Sequence, residues 1–489
     1  MTLKQFRIDF QELRKENSLR YDVDFIKFQH DFLVDHFYSF NDLFSFSKDN
    51  KVNVEELEDD FYYSEIGNVS KEGDVHPVKL NFNEREEEKE NYYKKIKNGD
   101  IIKAKENDIL LSKVRPNLKK YILINSDNKD FYYTSAFIHL RPKKLNIILY
   151  YALRTIFYED LIAISRQGKS YPTLKEDDFY YLKFDKSIID KFIKEEDQIV
   201  ARIEPIEQKI EDLKKTIKES QIIINRVFAR EFGFDENLYN IFGKGMTAGT
   251  QKAKDRKIRL FEISFQEISR SSILRFSTRY HNLPTKNLMN ILDNIKTTQI
   301  KNILLEDIHR GTGPKYNQFG VIPVIKTGHL KNGSIEISQE EFVDQKFYNS
   351  SKRSQVQNND ILIASTGKIS LGKIDLLKID HEIVVDGHIS ILRIDENKYN
   401  RLFFTYFFRC ILGYFQIERD YTGATNQIEL YAKEITNFQI PDIPLGKQQK
   451  IVNEIKAGLD KQEEIKQKVK TEGNKIDKII KKLLIKKII

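Results

Sequence analysis

Apolar positions in the first part of the chain come in short runs rich in Ile, Leu, Tyr and Phe. Tyr121-Ile-Leu-Ile124, Phe131-Tyr-Tyr133 and Phe137-Ile-His-Leu140 are set among turn formers such as Asn98-Gly-Asp100 and Asn125-Ser-Asp127, which predicts strands. From Leu145 to Ile164 the spacing becomes helical. It changes again over 187–231. There Ile199, Ile203, Ile206, Ile210, Leu213, Ile217, Ser220, Ile224 and Val227 advance in steps of four and three, the heptad seam of a coiled-coil helix. Pro205 predicts that this helix begins or kinks there. Gly233 and Gly243-Lys-Gly-Met-Thr-Ala-Gly249 read as a linker. The alternation then returns. Val321-Ile-Pro-Val-Ile325, Ile361-Leu-Ile363, Ile383-Val-Val385 and Ile389-Ser-Ile-Leu392 predict strands, and Leu402 to Ile417 a helix. A second long helix covers 447–489, with seam positions Ile455, Gly458, Gln462, Ile465, Val469, Glu472, Ile476, Ile479 and Leu483. Gly458, Gln462 and Glu472 weaken that seam, so this helix needs the first one as an antiparallel partner.

This pattern is one unit written twice. Phe6-Arg-Ile-Asp-Phe-Gln-Glu-Leu13 returns as Phe261-Glu-Ile-Ser-Phe-Gln-Glu-Ile268, an offset of 255 that also carries Leu19-Arg20 onto Leu274-Arg275. Further on the offset is 252: Asn107-Asp-Ile-Leu110 returns as Asn359-Asp-Ile-Leu362, and the two helical seams share it. The expected fold is therefore α+β, two tandem mixed domains separated by two long antiparallel coiled-coil helices with pseudo-twofold symmetry. The boundaries are 1–185 and 255–445 for the domains, 186–235 and 446–489 for the helices, and 236–254 for a linker. Two similar surfaces suit a partner with two sites, or two copies of one partner.

Composition narrows the function less than the repeat does. Hydrophobic residues are 40% and charged residues 31%, and the net charge of +8 permits a polyanionic partner without demanding one. A single cysteine, Cys410, excludes a disulfide framework and cysteine metal sites and suits a reducing cytoplasm. No apolar run approaches a membrane span, and the N-terminus has no signal-peptide core.

No catalytic motif is complete. Gly168-Lys169-Ser170 lacks the earlier glycine of a phosphate loop, and Gly311-Thr-Gly313 lacks the third glycine of a dinucleotide fingerprint. No Asn-Pro-Pro-aromatic or Asp-Pro-Pro-aromatic string is present. Pro441-Asp442 with Glu454-Ile-Lys456 only superficially imitates a nuclease pattern; it reads far more readily as a strand exit plus a charged helix face and is not repeated in the first copy. Polar loops at matching places are more informative: Ser112-Lys-Val-Arg-Pro-Asn117 and Ser365-Thr-Gly-Lys368 after a strand, then Arg166-Gln-Gly-Lys-Ser-Tyr171 and Thr422-Gly-Ala-Thr-Asn-Gln427. Arg310-Gly-Thr-Gly-Pro-Lys-Tyr316 is an addition of the second copy. Such side chains read base edges and hold phosphates, although any one loop alone reads as a solvated turn. The candidate DNA contacts are Lys113, Arg115, Asn117, Arg166, Lys169, Ser170, Tyr171, Arg310, Lys315, Tyr316, Lys326, Ser365, Thr366, Lys368, Thr425, Asn426 and Gln427; catalytic and metal residues are expected to be absent. The Lys-rich stretch from Lys466 to Lys487 is a solvated helix face or lies near a phosphate backbone.

At these residues the chain resembles a specificity subunit of a type I restriction–modification system, along essentially its whole length. The resemblance rests on Lys315-Tyr316, Gly320-Val-Ile-Pro-Val-Ile-Lys-Thr-Gly-His-Leu330 with Gly333, Asn359-Asp-Ile-Leu-Ile363, Thr422-Gly-Ala-Thr-Asn-Gln-Ile428, Ile440-Pro-Asp-Ile-Pro444 and Gln448-Gln449. The first copy matches more loosely, through Glu65-Ile-Gly-Asn-Val69, Asn107-Asp-Ile-Leu-Leu-Ser112 and Gly168-Lys-Ser-Tyr-Pro-Thr-Leu174, with Leu182-Lys-Phe-Asp185 where a proline-rich exit is expected. The resemblance implies two target-recognition domains that bind a split double-stranded DNA sequence, one half each. It implies a chain without catalytic residues or cofactor. Two modification subunits that bind S-adenosylmethionine and methylate adenine, and restriction/translocase subunits, would be its partners in a prokaryotic cytoplasm. A specificity subunit of a type II bipartite or other phage-defence methylation complex is the close alternative.

Overall fold

The short apolar runs close into small sheets because each offers one or two buried faces and ends at a turn. The computed structural model describes residues 36–47, 50–83, 89–166, 171–239, 262–269, 276–281, 283–337, 341–424 and 427–485. The N-terminal repeat strings, Leu274-Arg275 and the glycine-rich linker at 243–249 lie outside these residues. The chain divides into two units, one made of Met1–Lys215 with Gln467–Ile489, the other of Thr216–Lys466.

In the first unit, strands run in the order Phe44–Phe46, Phe137–Pro142, Ile109–Ser112, Tyr121–Leu123, all antiparallel. A second four-stranded sheet has the order Val78–Leu80, Phe61–Ser64, Tyr132–Tyr133, Ile102–Lys103, and its central pair is parallel. Phe37–Ser39 pairs with Lys183–Asp185 and joins the start of the described unit to its exit. The predicted helix from Leu145 is two helices, Asn146–Arg154 and Tyr158–Ala163. Leu149, Leu153 and Leu161 pack with Ile109, Leu111 and Ile138 in the main core.

The second unit repeats this plan. Its antiparallel sheet has the order His309–Arg310, Ile389–Leu392, Ile361–Ala364, Ile374–Leu376. Phe342–Val343, Ile322–Ile325 and Val384–Val385 form the second sheet, again with one parallel pair. Thr297–Gln299 pairs with Gln439–Pro441 at the exit, and Thr422–Ala424 with Gln427–Glu429 makes a hairpin. The helix over Leu402–Ile417 is again two, Arg401–Arg409 and Ile411–Asp420.

The repeated Asn-Asp-Ile-Leu string now has a physical meaning. Asn107 and Asn359 take left-handed backbone angles, φ 73° and 71°, which asparagine tolerates better than most residues. Asp108 and Asp360 are buried, and each binds an arginine from the neighbouring strand through two oxygens. Arg141 Nε and Nη2 donate to Asp108 at 2.9 and 3.1 Å; Arg393 Nε and Nη2 donate to Asp360 at 3.0 and 3.2 Å. The backbone N–H of Lys105 and of Gln357 adds a third bond to its unit's aspartate, at 2.9 and 2.8 Å. The Ile and Leu that follow enter the core.

The helices depart from the sequence reading. The stretch 186–235, expected as one coiled-coil helix, is three: Lys186–Lys194, Glu196–Lys215 and Ser220–Phe232. Pro205 lies inside the second of them, which starts well before it. The later stretch is one helix, Leu445–Ile485. Within the first unit, Ile199 and Ile203 pack with Ile476, Ile479 and Ile480, and Lys209 reaches Glu472 at 2.7 Å. Within the second unit, Ile224, Val227 and Phe228 pack with Ile451, Val452 and Ile455, and Lys447 meets Glu231 at 2.6 Å. In both pairings the partner numbers fall as the first helix rises, so each segment pairs antiparallel.

The three weak seam positions each have a task. A Cβ on Gly458 would stand 2.8 Å from Ile223 Cγ2, so glycine permits close helix approach. Gln462 Oε1 accepts the Lys218 backbone N–H at 2.7 Å, where the first helical stretch is broken. Glu472 accepts from Lys209 and Lys475. Among the described residues no helix is long and apolar enough to cross a membrane.

Candidate nucleic-acid interface

Each unit brings its two polar loops side by side at one end of the antiparallel sheet. In the first unit, Val114 bridges to Thr173, and the Arg115 N–H donates to the Pro172 carbonyl at 2.9 Å. In the second, Thr366 bridges to Glu429, and the Gly367 N–H donates to the Ile428 carbonyl at 3.2 Å. A third turn joins each cluster: Lys113 N–H donates to Ala136, Ser365 N–H to His388. Sheet hydrogen bonding thus gathers segments distant in sequence into one polar surface per unit.

In the first unit Arg115, Asn117 and Tyr171 are exposed. The Arg115 guanidinium lies 5.1 Å from the Tyr171 ring centre, so the two loops meet through a cation–π contact. Arg115 holds φ 51°, a left-handed angle that costs a non-glycine residue about 1 kcal/mol. Lys113 is half-buried and its Nζ donates to the Ser135 carbonyl at 2.7 Å. Lys169 and Ser170 lie outside the described residues. Arg166 is reassigned. Its guanidinium binds the buried carboxylate of Asp178, with Nε at 2.9 and 3.1 Å, which holds the second loop to the helical turn Glu176–Tyr181.

In the second unit Thr366 Oγ1 is 2.9 Å from His388 Nδ1, Lys368 is half-buried, and Gln427 is exposed at the start of its strand. Thr425 and Asn426 lie outside the described residues. Ser365 is corrected: it is fully buried, with its hydroxyl 2.6 Å from that of Ser390, so it belongs to the framework and presents nothing to a ligand. Arg310 is corrected likewise. Nη1 meets Glu429 at 2.5 Å, and Nη2 donates to the carbonyls of Ser365 at 3.3 Å and Leu430 at 2.9 Å, so Arg310 fastens the hairpin to the sheet. Lys315 and Tyr316 are exposed on the loop before Ile322–Ile325. Lys326 lies 4.7 Å from the Tyr316 ring centre and 2.5 Å from Glu341; these partners hold its ammonium above the usual lysine pKa.

The nuclease-like string dissolves into ordinary contacts: Asp442 pairs with Lys296 at 2.7 Å, and Glu454 with Arg230. Sequence reading missed the arginines that hold the aspartates. Arg141 and Arg393 are separated by the same 252 as the Asn-Asp strings, so the offset was the signal that could have found them. Ala136 and His388 also stand 252 apart but differ in residue type, and only tertiary pairing brings their turns to the loops.

With this geometry in place, comparison with known families finds a match over one stretch. Residues 294–472 match the model of the type I restriction modification DNA specificity domain. Over that stretch the chain is similar to that family. The matched stretch runs from the entry strand Thr297–Gln299 through both loops of the second cluster and into the long helix. Solved chains that match this one include one from work on complex assembly and conformational transition of the type I R-M system, at 14% identity and TM-score 0.37, covering 91% of this chain and 96% of that one. The HsdS subunit of Thermoanaerobacter tengcongensis follows at 12% and 0.31, covering 91% and 95%. The type I restriction-modification S subunit of M. genitalium stands at 15% and 0.37, covering 93% and 98%. No curated protein matches.

Proposed function

We propose that this chain is the non-catalytic DNA-recognition and scaffold subunit of a type I restriction–modification complex. The carrying observation is the family match over 294–472, which contains the loop cluster of the second unit. The repeated strand order and the repeated Asp–Arg framework extend the reading to the first unit. Each cluster would read one half of a split double-stranded DNA target. In the first unit Arg115, Asn117 and Tyr171 are the proposed contacts, with Lys113 beside them; in the second they are Thr366, Lys368 and Gln427, with Lys315 and Tyr316 on the loop before Ile322–Ile325 and Lys326 directly after that strand. The helical segments would dock two modification subunits, which bring S-adenosylmethionine and the adenine-methylating chemistry, together with restriction subunits in a prokaryotic cytoplasm.

Methylome sequencing of cells with and without the gene tests this. A bipartite motif should vanish on deletion; a continuous motif would overturn the two-half reading. Arg115→Ala should relax one position of one half-site, by about 1–3 kcal/mol if Arg115 contacts a base. An equal loss on unrelated sequences makes Arg115 a phosphate contact instead.

A further inference from the structure

The first loop of each cluster opens on the same turn. Counting from the bridging residues Val114 and Thr366, the offset of 252 holds over the four residues that follow each, and one extra residue in the second unit makes it 253 by the next strand, where Leu111 pairs with Tyr121 and Ile363 with Ile374. Arg115 and Gly367 both take left-handed angles, φ 51° and 82°. Leu118 N–H donates to the Arg115 carbonyl at 2.9 Å, and Ser370 N–H to the Gly367 carbonyl at 3.0 Å. Both turns are tied to the neighbouring loop by the N–H of that left-handed residue. Position for position, the tip of the turn is therefore Asn117 in the first unit and Ile369 in the second.

Ile369 is 83% exposed, the highest value among the exposed large hydrophobic side chains of the described residues. A lone apolar side chain on a surface is ordinary. This one stands at the tip of a turn locked by backbone hydrogen bonds, between polar neighbours, where the sister turn carries an amide. The two side chains suit different base edges. An asparagine amide pairs with an adenine edge, whereas a branched aliphatic side chain has only one apolar feature to meet in the major groove, the 5-methyl group of thymine. Ile369 hydrogen-bonds to no base and carries no charge to hold a phosphate.

We infer that Ile369 is a specificity-determining residue of the second unit and packs on a thymine 5-methyl group in its half-site. This rests on the DNA-recognition reading above. The complex of the full chain with its modification subunits is titrated with duplexes carrying the methylated motif. Each thymine is replaced in turn by deoxyuridine, which lacks only the 5-methyl. Burying one methyl corresponds to about a 4-fold change in affinity. One replacement should weaken wild-type binding by about that factor, and the effect should disappear in Ile369→Ala and persist in Asn117→Ala. Because Ile369 is exposed, Ile369→Ala should keep the wild-type melting temperature. Specific binding with no uracil-sensitive thymine, or a sensitivity unchanged in Ile369→Ala, overturns the inference and leaves the recognition reading standing. Binding that does not distinguish the motif from unrelated DNA removes both.

Discussion

Asp108 shows how one buried residue organises a sheet. Burial pushes its carboxyl up, but hydrogen bonds from His139 and Arg141 outweigh this and hold its pKa at about 2. Below its unfolded range near 4, the unfolded chain takes up this proton while the folded chain resists it. The ion pair's contribution, about 2 kcal/mol, is therefore complete at neutral pH and is lost as pH falls from about 4 towards 2. The stability gap between wild type and Asp108→Asn, measured by urea unfolding of the full chain at pH 7 and pH 2.5, should shrink by about two-thirds of that amount. A gap equal at both pH values would show that the pairing adds nothing. The Asn-Asp string marked the position in the sequence. Its partner Arg141, some thirty residues later, became visible as a partner only through strand pairing.

At the scale of elements, hydrophobic periodicity located helices well and their ends poorly. Thr216 to Glu219 continues the heptad count, and nothing in its composition breaks a helix. The break comes from other elements. Gln462 takes the Lys218 N–H, and Arg409 binds the side chains of Gln221, at 2.9 Å, and Ser220, at 3.2 Å, at the next helix's start. Periodicity also could not rank the seam positions. Ile210 and Leu213, the natural targets in the sequence, are only half-buried, whereas Ile203 and Ile476 are fully buried in the first unit's core. Ile476→Asp should destabilise that unit by about 4 kcal/mol or more, since it opens a cavity and buries a carboxylate. Ile210→Asp should cost clearly less. Thermal unfolding of the two variants checks the order, and equal losses would mean that the seam, not the core beneath it, holds the helix.

At the scale of the whole molecule, duplication separates framework from variable contact. The opening backbone bond of the two turns and its tie to the neighbouring loop match while their exposed side chains differ, so recognition should be transferable by the side chains of that opening turn. Arg115→Gly with Asn117→Ile gives the first turn the second one's residues at the left-handed and tip positions. Glycine relieves the left-handed strain there, so the melting temperature should hold or rise slightly. Methylome sequencing should then show one altered half-site and one unchanged; changes in both halves, or in neither, would refute this division of labour. The sequence by itself determined that two copies of one α+β unit exist, which strands and helices build them, and where polar loops recur. These properties are periodic or local, and one chain written twice displays them through its own internal alignment. Only the tertiary structure decided which loop side chains face outwards. Arg310, Arg166 and Ser365 have the composition of a DNA-reading surface, yet they fasten hairpin, loop and strand, because a buried polar group must be satisfied by whatever the fold places beside it. That neighbour is set by strand register and chain crossing, which no local pattern encodes.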